Sequence, residues 1–206
     1  MIEAFALAEK YRNPVLVVVD GMIGQMMEPV EIPEFDEEPS SMIAGHEEWA
    51  TTGAKGRERN LVKTLFLNAE LAWEHNLKLK AKYDLIEAEQ VRYEEVDTEG
   101  ELDVLIVSFG TMARICKTSM VQLREKGVKV GMMRPIALYP FPYEPLRALA
   151  PKAKMGVSVE LSMGQLIEDV ERGVQGQAPV QWDGKAGGLV PTPDEVTEAV
   201  LGILEG

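Results

Sequence analysis

Four short apolar runs alternate with stretches of helical periodicity through the second half of this chain, and few folds can accommodate that alternation. The runs are LDVLIVSFG (102–110), VKVGMMR (128–134), MGVSVE (155–160) and PVQW (179–182). Short, nearly uncharged and rich in β-branched residues, they have the make-up of strands covered on both faces in a parallel sheet. Between the first two, Met112, Ile115, Cys116, Met120 and Leu123 recur at spacings of three and four, and Gly127 stands where that helix should end. Further helices are expected near 146–150, from Met163 and from Pro193. Two helix starts read as capping boxes: Ser162 with Gln165, and Thr192 with Glu195, where Pro193 takes the first helical position. The expected fold class is therefore α/β, with a mostly parallel, doubly wound sheet over residues 96–206. Right-handed crossovers gather the loops that follow the strands along one edge.

The preceding residues divide into two parts. In residues 1–39, Ile2, Phe5, Ala6 and Ala8 give a helical apolar face that stops at Asn13-Pro14. The run PVLVVVD (14–20) follows, and it too reads as a strand buried on both faces. One helix and one strand cannot provide that cover. The expectation is a chain that takes up near the end of an α/β domain, with the apolar side chains of Val15 to Val19 left exposed. The competing reading is a genuine N-terminus whose strand joins the sheet that follows. Residues 40–95 read as a connector. A polar, glycine-containing stretch leads to a charged helix around 70–89, where Trp73, Leu77, Tyr83 and Ile86 form a narrow apolar stripe, so most of its surface should face water.

A net charge of −13 argues against nucleic acid and anionic membranes as partners. The densest basic cluster, Lys55, Arg57 and Arg59, is interrupted by Glu58 and reads as a solvated loop. No apolar run approaches the roughly 20 residues of a membrane helix, and Glu3 and Glu9 rule out a signal peptide at the start. Cys116 is the single cysteine, so this chain builds neither a disulfide nor a Cys₄ iron–sulfur site. A reducing, cytoplasmic setting fits. On the apolar face of its helix, Cys116 reads as inert packing, and His46 and His75 are too few and too separated for a zinc site.

Chemistry in such a fold belongs at the carboxyl ends of the strands. Four places there carry candidate interface or loop residues: Asp20-Gly21 with Gln25, the turn Gly110-Thr111, Arg134, and Glu160 with Gln165. Gly110-Thr111 could present backbone N–H groups to an anion. The phosphate fingerprints GxGxxG and GxxxxGK[ST] are absent, however, and a tight turn with a threonine cap is the favoured reading of the pair. Arg134, at a strand end, must pair with an anion or reach water, and Glu160 is a candidate partner. No Ser-His-Asp pattern, metal cluster or activated cysteine is present, so no catalytic, cofactor-binding or metal residue is assigned.

The wording of the chain adds to this reading. AEKYRNPVLVVVDGMIGQMMEPVEIPE resembles the end of the first domain of 2-oxoacid:ferredoxin oxidoreductase α subunits. VSFGTMARI, VGMMRPIALYPFP and VELSMGQLIEDV resemble, in order, stretches of that subunit's second domain. The resemblance implies the tail of a truncated thiamine-enzyme pyrimidine-binding domain, followed by a transketolase C-terminal-like α/β domain. It implies oxidative decarboxylation of a 2-oxoacid with coenzyme A as co-substrate, giving an acyl-CoA, carbon dioxide and reduced ferredoxin. Thiamine diphosphate and magnesium would be held with a β subunit, and iron–sulfur clusters would sit on other subunits; the partners implied are β and γ/δ chains, with ferredoxin reached through the complex. The family's cofactor-activating glutamate would lie ahead of this stretch. WATTGAKGRERN, Ser162 and GKAGGLVPTP (184–193) resemble the branched-chain type, whose substrate is 3-methyl-2-oxobutanoate. The 2-oxoglutarate type and a non-catalytic assembly module are the alternatives.

Overall fold

A computed structural model describes residues 2–32 and 49–206. His46 and the expected boundary between residues 39 and 40 lie outside the described residues. Two compact units are formed: Met1–Met26 with Lys82–Gly206, and Met27–Ala81.

The larger unit is built on a five-stranded sheet in the order β1-β3-β2-β4-β5. The strands are β1 (Tyr93–Val96), β2 (Leu102–Val107), β3 (Val130–Pro135), β4 (Ala153–Glu160) and β5 (Val180–Gly184). β2 to β5 run parallel, and β1 pairs antiparallel to β3 at the edge. The helices are α1 (Ile2–Tyr11), α2 (Ala69–Glu89), α3 (Gly110–Glu125), α4 (Tyr143–Leu149), α5 (Leu166–Val174) and α6 (Pro193–Glu205).

Doubly wound packing follows from the residues of β2. Leu105 and Val107 face a core with Leu146, Leu149, Leu166 and Val170 of α4 and α5. Val104 and Ile106 face the opposite core, with Met112, Cys116, Met120, Val196 and Val200 of α3 and α6. Burying each of these side chains contributes about 1.5–3 kcal/mol, which explains a central strand that is apolar on both sides. On α5, Gly173 packs where an added Cβ would lie 2.7 Å from Leu146. The mostly parallel α/β fold expected over residues 96–206 is the fold observed, with one strand more than the periodicity reveals. β1, YEEV, is short and half charged because an edge strand needs only one covered face.

Residues 14–20 depart from expectation. They form no strand, since no strand of the described residues runs beside them, and Leu16 and Val18 are 81% and 74% exposed. The exposed apolar surface expected at Val15–Val19 is therefore present, without the strand that was to carry it. The segment is anchored at its start. Lys10 pairs with Glu89 at 2.6 Å, the Tyr11 hydroxyl donates to the same carboxylate, and Lys82 Nζ donates to Asn13 Oδ1 at 3.0 Å.

α2 covers the charged helix expected around 70–89, and only Ile86 of its residues is buried. In the smaller unit, Arg57 turns the basic loop inward by donating to the carbonyls of Ala50 and Gly53, while Lys55 and Arg59 are exposed. His75 stacks on Phe66 with ring centres 4.7 Å apart.

Candidate functional site

The candidate residues stand along the carboxyl edge of the sheet, where β2 and β4 hand over to α3 and α5. Ser108 ties the two strand ends together, its buried hydroxyl donating to the Val159 carbonyl at 2.7 Å. Beneath it Cys116 is fully buried, and burial pushes its thiol pKa up to about 12, so it is inert packing.

Glu160, at the end of β4, is 2% exposed and turned onto the start of α5. Its carboxylate accepts the backbone N–H groups of Gln165, Leu166 and Ile167 at 2.9, 2.8 and 3.1 Å. It also accepts the hydroxyls of Ser158 and Ser162. Burial alone raises its pKa. The Ser162 hydroxyl, the Leu166 N–H, the Ser158 hydroxyl and the Ile167 N–H outweigh that, and the carboxyl sits below the ordinary glutamate value. Gly184 of β5 lies against this turn: an added Cβ would come within 2.1 Å of the Glu160 carbonyl oxygen.

Two expectations are corrected here. The Ser162–Gln165 capping box does not form, because Ser162 gives its hydroxyl to Glu160 and the helix starts at Leu166, not Met163. Arg134 does not pair with Glu160, because β2 separates β3 from β4. Instead its guanidinium donates to Glu94 at 2.6 Å, directly across the β1–β3 register. The box at Thr192 and Glu195 does form, and Lys185 pairs with Glu195 at 2.6 Å.

Asp20 stands beside the start of α3. Its Oδ1 accepts the N–H groups of Met22 and Ile23 at 3.0 and 2.8 Å and folds residues 20–25 into a 3₁₀ turn that includes Gln25. Its Oδ2 lies 3.7 Å from where a Cβ on Gly110 would stand. Gly110 has φ +61°, a left-handed conformation that suits glycine. The Asp20 carboxyl is held below the ordinary aspartate range by the Thr111 hydroxyl first, and next by the Ile23 N–H. The buried Thr111 Oγ1 falls short of full hydrogen-bond geometry, so it acts on Asp20 through proximity, and the two backbone bonds are the firm contacts. Gly21 is exposed, with open space around it. The edge thus brings Asp20, Gly110 and Thr111 together in one place, Glu160 and Gln165 in a second, and leaves Arg134 with the edge strand.

The sequence reading passes over Asp183, at the end of β5. It is half-buried, and burial raises its pKa against the opposing pull of the Gly184 N–H and Lys185. An aspartate before a glycine at a strand end was the available signal, hidden because the apolar run stops at Trp182.

These groups define what the edge can hold. The starts of α5 and α6, natural seats for a phosphate, are closed by Glu160 and Glu195, and the Asp20 carboxylate stands beside that of α3. Among the described residues no cluster of three or more His, Cys, Asp or Glu is placed to hold a metal ion. The described residues of this edge therefore do not fit a magnesium-bound diphosphate. A depression of about 600 Å³ lies at the opposite edge between Asp97, Glu101 and Lys129, where Arg124 already pairs with Asp97 at 2.6 Å. No helix of the described residues is long and apolar enough to cross a membrane.

Residues 102–196 match the family described as pyruvate:ferredoxin oxidoreductase core domain II. The chain is 39% identical over 172 residues to the ketoisovalerate oxidoreductase subunit VorB of Methanothermobacter marburgensis, covering 82% of this chain and 47% of the relative. It is 33% identical over 178 residues to the 2-oxoglutarate synthase subunit KorA of Archaeoglobus fulgidus, covering 83% and 48%. The chain spans about half the length of the curated relatives it matches. In fold it is similar to a 2-oxoglutarate:ferredoxin oxidoreductase from Magnetococcus marinus, solved with 2-oxoglutarate, coenzyme A and succinyl-CoA bound. That similarity has a TM-score of 0.62 at 19% identity, over 75% of this chain and 28% of that one.

Proposed function

We propose that this chain, whose residues 102–196 match the core domain II of pyruvate:ferredoxin oxidoreductase, serves as α-subunit sequence in a 2-oxoacid:ferredoxin oxidoreductase. The reaction is oxidative decarboxylation: a 2-oxoacid and coenzyme A give an acyl-CoA and carbon dioxide, and two electrons pass singly to ferredoxin. The substrate is a branched-chain 2-oxoacid, 3-methyl-2-oxobutanoate. The observation that carries this reading is the 39% identity to a ketoisovalerate oxidoreductase subunit, against 33% to a 2-oxoglutarate synthase subunit.

In this reading residues 1–39 are the end of a pyrimidine-binding-like domain, residues 40–95 a connector and residues 96–206 the transketolase C-terminal-like domain. Thiamine diphosphate and magnesium are held with the β subunit and iron–sulfur clusters by further subunits, in the cytoplasm. That division agrees with the chemistry of the carboxyl edge, where internal carboxylates take the positions an anionic cofactor would need. Asp20, Gly21, Gln25, Gly110, Thr111, Arg134, Glu160 and Gln165 then act in folding and docking.

The test is a viologen-reduction assay on the complex purified through a tag on this chain, with coenzyme A and one 2-oxoacid at a time. Faster reduction with 3-methyl-2-oxobutanoate than with 2-oxoglutarate or pyruvate is expected. Preference for 2-oxoglutarate would move the chain to the 2-oxoglutarate type. A tagged complex inert with every 2-oxoacid would make it an assembly module.

A further inference from the structure

α3 starts without a cap of its own. Its N-cap residue is Phe109, which offers no acceptor, so the first N–H groups of a 16-residue helix and its positive dipole end need a partner from elsewhere. The nearest carboxylate belongs to Asp20, ninety residues earlier in the chain. Its two oxygens divide their work: Oδ1 holds the local turn through Met22 and Ile23, while Oδ2 lies against Gly110, 3.7 Å from where a Cβ there would stand. Two further features suit this contact. Gly110 has no Cβ to hold the carboxylate off, and the Thr111 hydroxyl beside it is buried with no partner of its own.

We infer that Asp20 is an electrostatic latch, a long-range cap on α3 that fixes the 14–26 segment to the α/β domain. The segment is then tied at both ends: by Lys82 on Asn13 at its start, and by Asp20 on α3 at its finish. Between the ties runs the apolar stretch Val15–Val19, so the latch determines where that surface is presented. This inference stands apart from the proposed reaction, since it rests on the geometry of the one chain.

Asp20→Asn separates the two oxygens' roles. Asparagine keeps an acceptor for the Met22 and Ile23 N–H groups, as in an ordinary Asx turn, but brings no charge to the helix. Amide hydrogen exchange of the 206-residue chain, read residue by residue by NMR, is the measurement, with Asp20→Ala alongside. In Asp20→Asn, exchange at Thr111 and Met112 should quicken roughly two- to fivefold, with Ile23 unchanged and the β2 and β4 amides as in the parent. Asp20→Ala should quicken exchange at Thr111, Met112 and Ile23 together. Parent-like exchange at Thr111 and Met112 in both variants would overturn the latch, as would a change in Asp20→Asn confined to Met22 and Ile23.

Discussion

Among the described residues, Glu160 is the most heavily committed polar side chain: one buried carboxylate accepts three backbone N–H groups and two hydroxyls. Glu160→Gln would place an amide NH₂ among donors and leave some of them unpaired, which should cost about 2–4 kcal/mol at neutral pH. The pH dependence has a definite sign. The folded carboxyl lies below the ordinary glutamate value of 4.5, so its contribution is fully present above that value and fades as pH falls through the folded pKa. Denaturant melts of parent and variant should therefore differ most near pH 7 and converge below pH 4.5. A constant gap across that range would contradict the capping role. In sequence, Glu160 was visible as a candidate, but its partner was not. Pairing it with Arg134 assumed that β3 and β4 are neighbours, whereas strand order is set by three-dimensional wrapping that local pattern does not encode. Thr192 and Glu195 were legible because both ends of that interaction lie within one helical turn.

At the scale of elements, the runs of β2, β3 and β4 were legible because apolar β-branched residues covered on two faces leave a pattern that nothing else explains. β1 escaped because its four residues are half charged, and the ion pair Glu94–Arg134 that marks it spans two strands. Residues 14–20 failed in the opposite sense: the composition of a buried strand is present without neighbours to pair it. Their exposure gives a prediction. The chain by itself should bind a hydrophobic dye and self-associate with rising concentration, and Val18→Lys, at a site 74% exposed, should reduce both with little change in melting temperature. A strictly monomeric parent that leaves the dye dark would show that this surface is covered in solution.

For the whole molecule, alternation gave the layers of the α/β architecture, and the wording of a few loops pointed to the family whose core domain II residues 102–196 match. The function of the edge was less legible, because sequence shows which residues reach the carboxyl ends but not that Glu160 is spent on a helix start or that Asp20 folds back on its own turn. The central claim is that this chain works as α-subunit sequence of a thiamine-dependent oxidoreductase whose diphosphate is held by a partner. Calorimetric titration of thiamine diphosphate with magnesium tests it most directly, first into the chain alone and then into the complex assembled around it. The account predicts no heat of binding from the chain and saturable binding by the complex. Binding by the chain alone, or none by the complex, would contradict it.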